Sequence, residues 1–223
     1  MRGGLLTRLV WVGLFAVAFA FVESSVVVYL RTIYYPDGFT FPLRLVEEQH
    51  LIVELLRELS TILMLVAVGV IAGRRGWERF AYFMVAFGVW DIFYYVWLKA
   101  VLDWPLSITE WDVLFLIPLV WIGPVLAPVL VSLMMIACGV LILRRLDGGK
   151  PFRPGFRSWA LSTIATLLLL YSFVADTGAT LGGEHPEPYG YGLLAVGLVL
   201  YALSFFFACV PSPPSGNVTS DEE

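Results

Sequence analysis

The sequence predicts an all-α, polytopic membrane helix bundle, with about six transmembrane helices and one short interfacial or re-entrant helix at the outer face. Of its 223 residues, 59% are hydrophobic and only 14% are charged, whereas soluble chains carry about 25% charged residues. The mean hydropathy is +0.83, and the apolar residues fall in runs long enough to cross the ~30 Å hydrocarbon core of a bilayer. These properties exclude an ordinary soluble domain and make the lipid bilayer the first expected partner.

Hydropathy divides the chain into six spans, each bounded by charged residues, Gly or Pro. The first span continues past Ala18 and Ala20, which resemble a signal-peptide cleavage site. Its apolar run is about 33 Å long as a helix and therefore crosses the bilayer, so we interpret it as an uncleaved span. The predicted spans are 9–30, 46–73, 80–98, 124–144, 158–176 and 191–210, and they form a single domain over residues 1–210.

The segment before the fourth span carries signals of its own. Ser107 and Glu110 have the spacing of a capping box, and three prolines interrupt the apolar stretch that follows them. Because proline breaks the interior of a helix, we expect a short helix at 107–117 and then a separate full span.

Basic residues predict the orientation. Ten of them fall before span 1, between spans 2 and 3, and between spans 4 and 5, all on one face, which the positive-inside rule makes cytoplasmic. We therefore expect both termini in the cytoplasm, a plasma membrane or bacterial inner membrane, and a disordered cytoplasmic tail over the polar, proline-rich residues 211–223. The ten residues are Arg2, Arg8, Arg74, Arg75, Arg79, Arg144, Arg145, Lys150, Arg153 and Arg157.

Two carboxylates lie within the predicted spans at matching depth. Glu23 is seven residues from the end of span 1, and Asp91 is seven residues from the end of span 3, so each lies about 11 Å inside the outer boundary. A charge in a membrane helix costs roughly 2.5–3.5 kcal/mol on insertion scales, and it normally faces the protein interior with a partner. Ala16 and Ala20 share the face of Glu23, which indicates a close helix contact there.

Span 2 carries a polar stripe that should face protein or water rather than lipid. The stripe consists of Glu47, His50, Glu54, Arg57, Glu58 and Thr61. On span 3, Tyr94 and Tyr95 lie one turn from Asp91 and can donate hydrogen bonds to it. These faces and depths predict an outward-facing polar pocket between spans 1, 2 and 3. Its predicted residues are Glu23, Glu54, Arg57, Glu58, Asp91, Tyr94, Tyr95 and Asp112.

We expect Glu23, Arg57, Glu58 and Asp91 to meet in one buried network. The acidic groups outnumber the arginine, and an excess carboxylate in a membrane is protonated or binds a cation. This favours a transporter or membrane enzyme whose pocket binds a cation, a proton or a small ligand. The alternative is an accessory subunit of a larger membrane complex, with other membrane subunits as partners and with the carboxylates in structural ion pairs.

A second alternative comes from Glu47 and His50, whose E-x-x-H spacing places a carboxylate and an imidazole on one helix face. Such motifs build metal sites in helix bundles. The second alternative is therefore a membrane metalloenzyme that holds a single divalent cation at Glu47 and His50.

The sequence contains no motif of a known catalytic site. No GxSxG, HExxH, Walker or dinucleotide motif occurs, and no catalytic residue is assigned. The net charge of −4, without a basic patch, excludes nucleic acid as a partner.

Aromatic side chains concentrate toward the predicted outer interface. They include Trp90, Trp97, Trp104, Trp111 and Trp121. This pattern is typical of the aromatic belt of a membrane protein. The same rings also suit the flat wall of a binding site for a lipid-soluble ligand.

Overall fold

The computed structural model describes residues 2–35, 39, 48–182 and 188–209. Six of its helices are long and apolar enough to span a membrane, and they confirm the predicted helix bundle of an integral, multi-pass membrane protein. The spanning helices are α1 (Arg2–Tyr34), α2 (Glu48–Ala72), α3 (Gly76–Leu102), α4 (Leu126–Asp147), α5 (Phe156–Val174) and α7 (Tyr191–Cys209). A short helix, α6 (Thr177–Leu181), and two strands, β1 (Trp111–Phe115) and β2 (Trp121–Pro124), lie in the connections. The predicted tail, 211–223, is outside the described residues.

Helix α3 lies at the centre of the bundle. Helices α1, α2 and α4 each pack along it, and α5 pairs with α7. Strands β1 and β2 lie where α1 and α3 end and where α2 and α4 begin, and we call this the hairpin end. The opposite end carries Arg74, Arg75, Arg144 and Arg145, and we call it the arginine-rich end.

Glycines bring α4 close against α3. A Cβ atom on Gly88 would lie 2.6 Å from the carbonyl oxygen of Ser132, and one on Gly139 would lie 2.7 Å from that of Ala81. Side chains at these positions would push the backbones apart, so small residues permit the contact. Ser132 is thereby held beside Gly88, which lies one helical turn before Asp91 on α3.

The prediction of a short helix at 107–117 is wrong. Residues 111–115 form β1, which pairs antiparallel with β2, so that Asp112 lies opposite Gly123. The sequence of β1 contains aromatic and β-branched residues, which suit a strand better than a helix. The second apolar run, around Trp121, supplies the pairing partner that a reading of the first segment alone does not reveal.

The capping-box residues before β1 stabilise a turn instead of a helix. The backbone N–H of Glu110 donates to the carbonyl of Ser107 at 3.1 Å. The Glu110 carboxylate accepts the N–H of Leu106 at 3.1 Å, and the Ser107 hydroxyl accepts the N–H of Thr109 at 3.2 Å. Ser and Glu side chains satisfy backbone donors equally well in a turn, which explains why the pattern was misleading.

Arginine side chains cap helices at the arginine-rich end. Arg145 donates to the carbonyl oxygen of Cys209, the last residue of α7, at 2.7 Å. Arg8 donates to the carbonyl oxygen of Ala72, the last residue of α2, at 3.4 Å. The last carbonyls of a helix have no intrahelical donor and carry the negative end of its dipole, so these contacts are stabilising.

Candidate functional site

A cavity of about 430 Å³ lies at the hairpin end, between α1, α2, α3 and β1. Helices α1 and α2 both pack along α3 but have little contact with each other, so a space remains between them. All eight residues predicted for the polar pocket line this cavity. They are Glu23, Glu54, Arg57, Glu58, Asp91, Tyr94, Tyr95 and Asp112.

Arg57 ties α1 to α2 in the cavity wall. Its guanidinium binds the Glu54 carboxylate, with Nη2 and Nε at 2.7 and 2.8 Å from Oε2. It also forms an ion pair with Glu23 of α1, whose other oxygen accepts a hydrogen bond from the Thr61 hydroxyl at 3.0 Å. Glu23 is buried, at 7% exposure, so it faces the protein interior as predicted. Of the four residues expected in one network, Glu23 and Arg57 pair with each other, and Glu54 joins them as a member that was not expected.

Glu58 makes a different contact, to the hairpin. Both of its carboxylate oxygens accept the backbone N–H of Leu116, at 2.9 and 3.1 Å. The contact joins the polar stripe of α2 to the end of β1, so it holds the hairpin against the cavity.

Asp91 is separate from the arginine network, contrary to the prediction. Its Oδ2 accepts a hydrogen bond from the Ser132 hydroxyl of α4 at 2.8 Å. No basic side chain forms an ion pair with it in the part of the chain that the structure describes. The expected hydrogen bonds from Tyr94 and Tyr95 to Asp91 are also absent among the described residues, although both rings line the same cavity.

Arg31 is a cavity residue that sequence reasoning missed. It forms an ion pair with Asp112, with Nη2 at 3.0 Å from Oδ1, and its exposure is only 8%. Its guanidinium also lies over the rings of Phe39 and Trp104, 4.4 and 3.7 Å from their centroids, where the aromatic faces stabilise the charge. The predicted first span ends at residue 30, but α1 extends to Tyr34, so Arg31 is part of this helix.

The Asp112 carboxyl is buried on the hairpin, at 2% exposure. Burial raises its pKa above the ordinary value, and the neighbouring Arg31 guanidinium opposes this rise. The ion pair with Arg31 joins the hairpin to α1, as Glu58 joins it to α2. The hairpin is thus attached to both helices that flank the cavity.

Aromatic rings form much of the remaining wall. Tyr94 and Tyr95 pack edge to face, with ring centroids 4.9 Å apart. The rings of Trp90 on α3 and Phe115 on β1 also pack together, with centroids 6.3 Å apart. The cavity therefore combines aromatic and aliphatic surface with charged groups, a composition typical of small-ligand sites.

The alternative metal site cannot be assembled from described residues. Glu47 lies outside them, and His50 is exposed at the start of α2, with Nδ1 2.5 Å from the hydroxyl oxygen of Tyr34. Within the described ranges, no group of three or more His, Cys, Asp or Glu side chains is arranged to hold a metal ion.

Comparisons of the chain with protein-family models, with curated proteins and with solved structures found no match.

Proposed function

We propose that this membrane protein binds a small amphipathic organic cation in the cavity at the hairpin end. The observation that carries the proposal is the charge balance of the described lining, which contains five carboxyl groups and two guanidinium groups. Arg57 is engaged by Glu23 and Glu54, and Arg31 by Asp112. Glu58 and Asp91 are left without an ion-pair partner among the described residues.

The chemistry of the wall favours an organic cation over a bare metal ion. A metal ion requires several oxygen ligands around one point, whereas the carboxylates here are distributed among Arg57, the hairpin and α4. The rings of Trp90, Tyr94 and Tyr95 offer faces that attract a cationic group. The apolar lining accommodates the carbon skeleton of the ligand, so a positively charged head with a compact apolar body suits the cavity.

We further propose that the cavity faces the non-cytoplasmic side of a plasma membrane or bacterial inner membrane. The basis is the position of the basic residues, which concentrate at the arginine-rich end, opposite the cavity. Both termini would then be cytoplasmic. A ligand could reach the cavity from outside the cell, as in the binding step of a transporter or a membrane enzyme.

The test compares benzyltrimethylammonium with its uncharged isostere, neopentylbenzene, on protein reconstituted in phosphatidylcholine nanodiscs. Both molecules fit a 430 Å³ cavity, and they differ by one positive charge. We expect the cation to raise the thermal unfolding midpoint, since a ligand at 100 times its Kd stabilises the folded state by about 2.7 kcal/mol. Equal stabilisation by the isostere, or none by either molecule, would contradict the proposal.

The second candidate function is an accessory subunit, which the ion pairs of Arg31 and Arg57 favour. Buried pairs of this kind also occur as purely structural features, and three of the five carboxyl groups in the described lining belong to them. This function predicts that the cation does not bind, and that native mass spectrometry of gently solubilised membranes finds the chain in a defined complex with other subunits.

A further inference from the structure

We propose that Asp91 exchanges a proton for the bound cation, so that binding one permanent organic cation in the cavity releases one proton. This inference rests on the proposed function and deepens it, because it names the group that couples binding to proton movement. A site of this kind supplies the elementary step of proton–cation exchange.

The geometry of Asp91 differs from that of the other carboxyl groups in the cavity. It is 8% exposed and lines the cavity, and Ser132 is its one hydrogen-bond donor among the described residues. The Ser132 hydroxyl occupies Oδ2, which leaves Oδ1 as the oxygen available to carry a proton or face a cation. By contrast, Glu23 and Glu54 each contact Arg57, and both oxygens of Glu58 accept a backbone N–H.

No basic group in the described lining of the cavity is left to balance a negative charge on Asp91. Both guanidinium groups of the described lining already contact carboxylates, Arg57 those of Glu23 and Glu54 and Arg31 that of Asp112. The other titratable groups of the described lining are Glu23, Arg31 and Tyr34 on α1, Tyr35 directly after it, Glu54, Arg57 and Glu58 on α2, Tyr94 and Tyr95 on α3, and Asp112 on β1, while α4 presents the neutral Ser132.

A further negative charge at Asp91 is costly in this setting, because a buried carboxylate without a cation has lost its hydration and gained no opposite charge. The empty site avoids this cost when Oδ1 holds a proton. When the organic cation enters, the Oδ1–H bond breaks, and its electron pair stays on the carboxylate. The proton passes to water, and the carboxylate pairs with the cation. The charge of the cavity is the same before and after, and the bond between Ser132 and Oδ2 persists throughout.

The experiment counts released protons by isothermal titration calorimetry of benzyltrimethylammonium into protein in phosphatidylcholine nanodiscs. Each titration is repeated in two buffers that have different ionisation enthalpies. The charge of this probe is permanent, so every proton released comes from the protein. We expect close to one proton per cation in mildly acidic buffer, and an affinity that rises up to about tenfold per pH unit while Asp91 is protonated in the empty site.

Two variants assign the proton to its source. Asp91→Asn should release none, and its weaker affinity should no longer depend on pH. Asp103→Asn makes the same chemical change at a side chain that is 83% exposed near the end of α3, and it should keep the wild-type proton count. Size-exclusion chromatography checks that both variants fold. If Asp91→Asn does not fold, the wild-type protein still tests the inference, because binding without proton release would disprove it.

Three outcomes would overturn the inference. Binding to the wild-type protein without proton release would disprove it and leave the proposed function standing. Undiminished proton release by folded Asp91→Asn would place the proton on another group. Failure of the probe to bind the wild-type protein at any pH would remove the proposed function and this inference together.

Discussion

The hydroxyl oxygen of Ser132 lies 2.8 Å from Oδ2 of Asp91, across the interface of α3 and α4. This contact depends on Gly88, whose missing side chain allows the backbone of α4 to approach α3 at Ser132. The polar contact in the cavity and the packing of the two helices are therefore one structural feature.

Gly88→Ala should destabilise the protein, because the new Cβ would lie 2.6 Å from a backbone oxygen that cannot move alone. Overpacking of this kind typically costs about 1–3 kcal/mol, measured here as a lower thermal unfolding midpoint in nanodiscs. Gly13→Ala is the matched control, since a Cβ at that position in α1 would meet no atom within 4 Å. Similar effects of the two substitutions would contradict the role assigned to Gly88.

Arg57→Ala should strongly destabilise the bundle, because it leaves Glu23 and Glu54 buried without their cation. Breaking a buried pair typically costs about 3–5 kcal/mol. Adding Glu23→Gln and Glu54→Gln to Arg57→Ala should restore part of the lost stability, since no stranded charge then remains. Unfolding of each variant by titration with sodium dodecyl sulfate measures these differences.

Lys99→Ala provides the comparison for the Arg57 series. Lys99 pairs with Asp103 at 2.7 Å, but its side chain is 48% exposed, and exposed pairs contribute only about 0–1 kcal/mol. If Lys99→Ala cost as much as Arg57→Ala, burial would not be the source of the effect. If the triple variant were no more stable than Arg57→Ala, the idea of stranded charges would be wrong.

Glu58→Ala should loosen the hairpin without unfolding the bundle. The substitution removes the carboxylate that accepts the N–H of Leu116, and hydrogen bonds to charged groups contribute about 1.5–3 kcal/mol. Hydrogen exchange followed by mass spectrometry should show the Leu116 amide exchanging faster by on the order of tenfold or more, whereas amides in the middle of α5 should be unchanged. Unchanged protection of Leu116 would show that the hairpin is held by other contacts.

Cysteine labelling tests the orientation. In a Cys138→Ala, Cys209→Ala background, a single cysteine is placed at the hairpin end by Thr109→Cys or at the arginine-rich end by Gly155→Cys, where a Cβ would meet no atom within 4 Å. In intact cells, a membrane-impermeant maleimide should label the first and leave the second unlabelled until the membrane is opened, because basic residues favour the cytoplasmic face. The reverse pattern would place the cavity on the cytoplasmic side.

The six spans and the grouping of the pocket residues could be predicted because they depend on local properties. Hydropathy over about 20 residues identifies a spanning helix, and the 100° period places Glu54, Arg57 and Glu58 on one face of α2. The depth of a residue in the membrane follows from the number of residues between it and the end of its span. Glu23 and Asp91 could therefore be assigned to the same depth from the sequence alone.

The sequence by itself therefore determined the six helices of the described chain that are long and apolar enough to span a membrane, and the gathering of acidic groups at one end of the bundle. Only the tertiary structure decided which groups pair. Arg31 and Asp112 are 81 positions apart, and Asp91 and Ser132 are 41 apart. Such pairing depends on how closely helices approach and on how the chain between them folds. A strand also needs a partner in space, so the segment at 111–115 could not be assigned from its own residues, whereas a membrane helix satisfies its backbone hydrogen bonds within itself.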